Sequence, residues 1–507
     1  MEVRTVVLCA FLAVASATLE VVNQWSLLQF DFPPDPVLLE KFQPENTVPT
    51  GLEIGWDRIY LGIPRLRAGV PASLAWVPRS LPPGVSPVLQ AYPDWSWHTA
   101  GRGDINCTGL ISVYRIRADR CNRLWVLDAG VFTSLDDFRR VCPPKILIFD
   151  MATDRLVRSV YFPRELLRPS SLLTNIVLDD TKTSSPHLSA SCDNIFAYIS
   201  DTVAPGILVY DAQRDNAWRV THASMYPDPD LGEYDIGGER FTLMDGIVGL
   251  AHSPAQGLLY YQPLATDRIF SVSTAVLASG PPAEGADLPI NLVGRKSSQG
   301  LGLAVDPRDD TIIFSPMTET AIAAWNPITN SHYKEVLVLQ YIKLTLVLYD
   351  IACTCLQCFF KIRWPPHKCD RHTRPNYLVV VLLFYFHFLV YLLLSYVRQS
   401  LWHIVRHRSI TVDECKEEFY YKRVSFVLIW FEITYIYRVL AQDPEKLQFC
   451  AEVRWAERDN GAVWALSTRF HKYFKRTVSK HEVIIFLYQK NFQKVPEILG
   501  YVGLLRH

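Results

Sequence analysis

The sequence lacks most of the marks by which a function is usually recognised. Its 51 acidic residues cancel its 51 basic ones. There is therefore no overall field to gather nucleic acid, which is not an expected partner. It has no G-x-S-x-G elbow, no P-loop, no H-E-x-x-H pair and no glycine-rich turn opening a dinucleotide-binding helix. The common signatures of hydrolase, nucleotide and zinc-peptidase chemistry are thus missing, and no cofactor is expected. Glycine is scarce, 24 residues against 33 prolines, and the stretch 336–440 contains none.

Aromatic residues are plentiful, with 13 Trp, 24 Tyr and 25 Phe, and together with the prolines they suit a β-rich chain with many turns. The first residues, with Arg4, an apolar run over 6–15 and the small-residue site Ala15-Ser16-Ala17, read as a secretory signal over 1–17. That run is too short to span a bilayer. The mature protein is expected to be secreted, into an oxidising extracellular compartment.

From about residue 55 to 335 the text is short apolar or alternating runs broken by Asp, Gly, Pro and Asn, which predicts strands throughout. One piece repeats. Ile146-Leu147-Ile148-Phe149-Asp150 with Val157-Arg158 returns 61 residues later as Ile207-Leu208-Val209-Tyr210-Asp211 with Trp218-Arg219. Ala323-Ala324-Trp325-Asn326 with Tyr333-Lys334 is a weaker third copy. Each unit reads as a strand ending in Asp or Asn, a tight turn, and a returning strand with a basic residue on its solvent face. A period of about 50 to 60 residues fits one four-stranded propeller blade. The runs 124–127, 196–199, 247–251, 258–261 and 311–314 are expected to supply inner strands.

The text changes at about Val336. The glycine-free stretch that follows holds five of the eleven cysteines and an uncharged run over 377–397, long enough as a helix to cross a bilayer. After Ala441 the earlier style returns. The expected division is a signal over 1–17, most of the blades over 18–336, an anomalous, partly helical hydrophobic insertion over 337–440, and the rest of the last blade with the tail over 441–507. The simplest account of the insertion is translated intron sequence, because Glu335-Val336-Leu337 would join Ala441-Gln442-Asp443 smoothly. A membrane anchor is the rival, and a membrane enters only through the 377–397 run. A zinc-like set, Cys353, Cys355, Cys358, His367, Cys369 and His372, lies in the same segment, but its spacing is irregular and no metal is expected.

In order along the chain come Ile63-Pro64-Arg65, Tyr92-Pro93-Asp94-Trp95, Val113-Tyr114-Arg115, Leu124-Trp125-Val126-Leu127-Asp128-Ala129-Gly130, Cys142-Pro143-Pro144, Ala197-Tyr198-Ile199-Ser200-Asp201, Asp245-Gly246-Ile247 and Trp464-Ala465-Leu466-Ser467-Thr468-Arg469-Phe470. In this ordered set the chain resembles the insect yellow and major royal jelly protein family. The resemblance implies an all-β, six-bladed propeller, secreted, with a ligand pocket at one mouth of its central channel. About 385 residues remain without the signal and the insertion, which is six units of the inferred period.

Cys107, Cys121, Cys142 and Cys192 form an even set for which the sequence alone allows three pairings. The resemblance implies Cys107 with Cys142 and Cys121 with Cys192. It also implies that Cys450 lacks a partner, since a residue that is often cysteine in the family is Ala324 here. Asn106 opens a glycosylation sequon whose middle residue is Cys107. In amine-binding relatives the last-blade phrase supplies an amide and an aromatic, and the matching positions are Thr468 and Phe470. The implied ligand is a small aromatic amine or catechol-derived pigment precursor, in pigmentation, melanin-related or developmental processes. Dopachrome conversion is the alternative, and the sequence names no base for it. A membrane-tethered extracellular propeller is the third possibility. His98, His222 and His252, and the pairs Asp136-Asp137, Asp179-Asp180 and Asp309-Asp310, read as blade and turn residues rather than a catalytic set.

Overall fold

The computed structural model describes residues 20–181, 192–283, 285–329, 438–459 and 461–491. The signal-like 1–17 segment, the 377–397 run and the zinc-like cysteine set lie outside these residues. Among the described residues no helix is long and apolar enough to cross a membrane.

The described strands form six four-stranded antiparallel sheets and two short hairpins, Val131–Phe132 with Arg139–Arg140 and Glu233–Ile236 with Glu239–Thr242. Blade 1 is Gly51–Ile54, Arg58–Gly62, Leu74–Pro78 and Gln90–Ala91. Blade 2 is Val113–Ala118, Arg123–Asp128, Lys145–Asp150 and Leu156–Tyr161. Blade 3 is Leu173–Asp179, Phe196–Asp201, Gly206–Asp211 and Asn216–Val220. Blade 4 is Ile247–Ser253, Leu258–Pro263, Arg268–Ser273 and Asn291–Arg295. Blade 5 is Leu303–Asp306, Thr311–Phe314, Ala321–Trp325 and Arg438–Gln442. Blade 6 is Cys450–Ala456, Ala462–Ser467, Ile485–Asn491 and, outermost, Glu20–Trp25. The first strand of each of blades 1 to 5 packs on that of the next, and blade 6 packs on both blade 5 and blade 1. This is a closed six-bladed propeller.

Two features of the sequence follow from this packing. A propeller blade is covered on both faces by its neighbours, so its strands are apolar at nearly every position. In blade 2, Leu124, Val126, Leu147 and Phe149 face blade 1, while Trp125, Leu127, Ile146 and Ile148 face blade 3. The repeated Asp or Asn is a turn-former. Asp150 Oδ1 accepts the amides of Ala152 and Thr153, Asp211 Oδ1 those of Gln213 and Arg214, and Asn326 Oδ1 those of Ile328 and Thr329. Four residues on, Asp154 and Asp215 take the same left-handed conformation, at φ 57° and 52°.

The structure corrects three expectations. Of the runs expected to be inner strands, only 247–251 is innermost; 124–127, 196–199, 258–261 and 311–314 are second strands. Hydrophobicity misplaces them because the true inner strands carry polar groups into the channel. Arg219 does not face solvent: its side chain is only 7% exposed and reaches Asp201 at 2.9 Å. In blade 5 the fourth strand is Arg438–Gln442, so strand structure begins three residues before the expected boundary at 441. Tyr333 and Lys334, the expected returning pair, lie outside the described residues. Phe470 opens the short helix Phe470–Lys475.

Blade 6 is completed by the start of the chain. Glu20–Trp25 pairs with Ile485–Asn491, from Glu20 with Gln489 to Trp25 with Ile485. The apolar character of 483–487 follows, because Ile484, Ile485 and Leu487 are wholly buried in the core shared by blades 6 and 1.

Candidate functional site

Several phrases that carry the family resemblance are structural. Arg65 is fully buried, and its guanidinium donates to the carbonyls of Val70, Pro71, Leu110 and Ile111. Asp128 accepts the amides of Ile111, Ser112 and Gly130 and receives the Lys145 ammonium at 2.8 Å. Gly130, at φ 65°, is required there, since a Cβ would stand 2.2 Å from the carbonyl oxygen of Cys142. Asp201 in blade 3 repeats the arrangement, with the Leu172 amide at 2.9 Å and Arg219 as its cation. These carboxylates are saturated, and nothing is left over for a ligand.

The disulfides are Cys107–Cys142 and Cys121–Cys192, and Cys450 is free and buried beside Ala324. Asn106 is exposed, and its side-chain oxygen accepts both the amide and the hydroxyl of Thr108. His98 is buried between the amide of Ser73 and the carbonyl of Tyr92, and burial pushes its imidazole down to about 3. His222 caps a short turn at Ser224. These two histidines and His252, which lies at the other end of the channel from Thr468, do not converge. Among the described residues no group of three or more His, Cys, Asp or Glu could hold a metal ion.

The channel itself is crossed by charge. Glu452 accepts the Leu52 amide and lies 2.7 Å from Arg117 and 3.6 Å from Arg115. Arg454 reaches Glu53 at 2.7 Å, and Arg117 also donates to Asn175, whose amide reaches the carbonyl of Val248. Four innermost strands, those of blades 1, 2, 3 and 6, are thereby cross-linked to one another and to blade 4. The network separates an upper mouth, at the N-terminal ends of the innermost strands, from a lower mouth at their C-terminal ends.

The upper mouth collects Thr468 and Phe470. Strand Ala462–Ser467 runs antiparallel to Cys450–Ala456 and brings its C-terminal end there, pairing Ser467 with Cys450. Arg469 turns the chain in the left-handed region, at φ 42°, which places Phe470 on the mouth. The Thr468 amide donates to the Phe449 carbonyl at 2.9 Å. Its hydroxyl is buried and has no hydrogen-bond partner among the described residues. The Phe470 ring lies 5.2 Å from that of Phe449, in a cluster with Tyr234, Phe241, Val248 and Met317. Tyr234 stacks on Phe241 at 4.9 Å, and Phe241 on His471 at 6.2 Å. Burial pushes the His471 imidazole down to about 4, and neither of its nitrogens has a hydrogen-bond partner among the described residues.

Asp245 completes this mouth, and sequence reasoning passed over its role. It stands immediately before the innermost strand Ile247–Ser253, its carbonyl accepting the Ala265 amide at 3.1 Å. Burial pushes its carboxyl up to about 6, and its charge acts on Tyr114 and Tyr234. Unlike Asp128 and Asp201, it has no cation paired with it among the described residues. The available signal was an acid set directly ahead of an apolar inner strand.

Comparison with known proteins gives a consistent picture. Residues 111–350 match the family model described as major royal jelly protein. The chain is 29% identical over 272 residues to the dopaminechrome tautomerase of Drosophila melanogaster, covering 52% of this chain and 57% of that protein. It is 30% identical over 315 residues to Protein yellow of the same species, covering 60% of this chain and 56% of that protein. The match thus spans less than two thirds of the length of these relatives.

Proposed function

Since the chain belongs to the yellow and major royal jelly protein family, we propose that it is a secreted propeller binding a small aromatic amine or catechol-derived pigment precursor at the upper mouth. The observation that carries this reading is Asp245, a half-buried carboxylate with no counter-cation among the described residues, close enough to Tyr114 and Tyr234 for its charge to act on them. A protonated amine supplies the missing charge, and its ring takes the faces of Phe470 and Phe449. The unpartnered Thr468 hydroxyl is a hydrogen-bonding group for a ring hydroxyl or indole N–H. Two disulfides fit an oxidising compartment.

Calorimetric titration of the purified protein with dopamine and serotonin tests the reading. Saturable heat is expected for at least one of them, and its loss in Asp245→Asn. Absence of saturable heat for both at millimolar ligand removes the proposal.

A second reading takes the name of the tautomerase relative as its support. Tautomerisation moves a proton from one atom of the substrate to another with no change in oxidation level. It needs a base near neutrality, and the Asp245 carboxylate, pushed up to about 6, has that character. Decay of dopaminechrome colour above the buffer rate, abolished by Asp245→Asn with amine binding measured in parallel, separates catalysis from binding.

A further inference from the structure

The lower mouth opens into a cavity of about 350 Å³, on the far side of the charge network from Thr468 and Phe470. Its walls are the C-terminal ends of the innermost strands and the loops that leave them, so it draws residues from all six blades.

Its lining carries four guanidiniums, Arg117, Arg120, Arg454 and Arg458, and four carboxylates, Glu53, Asp119, Asp180 and Glu457. Arg115 and Arg117 share the single carboxylate of Glu452, while Arg454 takes Glu53. Two buried guanidiniums and the partly exposed one of Arg454 therefore meet two carboxylates. Burial, then repulsion from Arg454, pushes Arg117 down to about 10. The Nε–H groups of Arg117 and Arg454, both of which line the cavity, are buried with no acceptor among the described residues. A fourth guanidinium, Arg458, donates to the Asp119 carbonyl at 3.0 Å and has no carboxylate within ion-pair distance among the described residues. Elsewhere on the rim, Arg120 pairs with Asp180 at 3.3 Å, and Glu457 is exposed to solvent.

Above this floor stands an indole. Trp56 is 66% exposed at the cavity edge, with the Arg458 guanidinium 5.4 Å from its ring centre. Planar guanidinium forks match a carboxylate, and an indole face matches a flat ring.

We propose that the lower mouth is a second ligand site, taking a small aromatic carboxylate. The acid group meets Arg117, Arg454 and Arg458, and the ring lies against Trp56. This site is independent of the upper-mouth reading, since it shares no residue with it and selects the opposite charge.

The test is calorimetric titration of the purified full chain with indole-2-carboxylate, compared with neutral indole, cationic tryptamine and inorganic phosphate. Saturable binding of the carboxylate is expected, weakened at least about tenfold by Arg458→Gln and by Trp56→Ala, and unchanged by Asp245→Asn or Phe470→Ala. Circular dichroism of each variant confirms folding, and Arg458→Lys, which keeps charge but loses the fork, is expected to fall between wild type and Arg458→Gln. Equal binding of indole and indole-2-carboxylate overturns the proposal. So does phosphate binding as tightly as the carboxylate, or an Arg458→Gln affinity equal to wild type. Loss of tryptamine binding in Asp245→Asn reports on the upper mouth alone, so the two readings fail separately.

Discussion

The ammonium of Lys145 lies 2.8 Å from Oδ2 of Asp128, and neither side chain reaches solvent. Lys145 opens the third strand of blade 2 and Asp128 closes the second, so the pair fixes the loop between them at the upper end of the blade. The carboxylate sits well below its usual range: burial alone would raise it, but the Lys145 charge and the amides of Ile111 and Ser112 outweigh that effect.

Lys145→Met should therefore strand a buried carboxylate and cost about 3–5 kcal/mol of stability. Urea unfolding at neutral pH measures the loss. A midpoint equal to wild type would mean that the three amides alone suffice to hold the charge.

Amine binding at the upper mouth should weaken as pH falls through about 6, where Asp245 takes up a proton while the ligand amine keeps its own. Stability should move in the opposite sense. The folded carboxyl binds its proton more tightly than the unfolded one, so the contribution of Asp245 is largest at low pH and is lost as pH rises from about 4 to about 6. Asp245→Asn should flatten both dependences. Titrations of ligand affinity and thermal midpoint between pH 4.5 and about 7.5 check them together, and a pH-independent affinity in the wild-type protein excludes Asp245 as the partner of the amine.

Thr468 and Phe470 should separate stability from binding. Thr468→Val removes a buried hydroxyl that has no partner in the fold, so stability should change by less than about 1 kcal/mol while ligand affinity drops. Phe470→Ala should weaken binding and also cost stability, because the ring packs on Phe449. Thermal melts with and without dopamine give both readouts. Identical ligand-induced shifts in wild type and Thr468→Val would assign the hydroxyl no role.

The segment 337–440 is proposed to be translated intron sequence. Sequencing of the transcript should find a message that joins the codons near Val336 to those near Ala441. A chain shortened in this way should melt no lower than the full one, with Tyr333-Lys334-Glu335-Val336 taking the place of Arg438-Val439-Leu440 against Ala321–Trp325. A message that keeps the whole segment in every tissue would refute the idea and return attention to the 377–397 run.

The propeller was legible because its sequence carries two independent regularities. The turn-forming Asp150, Asp211 and Asn326 mark the same point in three blades, and two-sided burial makes runs such as 146–149 continuously apolar. The order of strands within a blade was less legible for the same reason. Inner strands carry Arg115, Arg117, Asn175 and Glu452 into the channel, so they look less like core than the second strands behind them. The mouths were the hardest to read. Asp245 and Asp128 are both acids at strand ends in phrases of similar look, and only the position of Lys145 in three dimensions shows that one is neutralised and the other is not.

The strand Glu20–Trp25 gives the wheel a fastening made from opposite ends of the chain. During synthesis the earliest of these residues must wait, unpaired, until about residue 491 has left the ribosome before the circle can lock. Any change that weakens the latch, such as replacement of Trp25 or a bulky fusion placed directly ahead of Glu20, acts on a bare sheet edge that can recruit a neighbouring chain instead. The weakness of such a protein lies at the seam, and damage there should show first as self-association rather than as loss of any single blade.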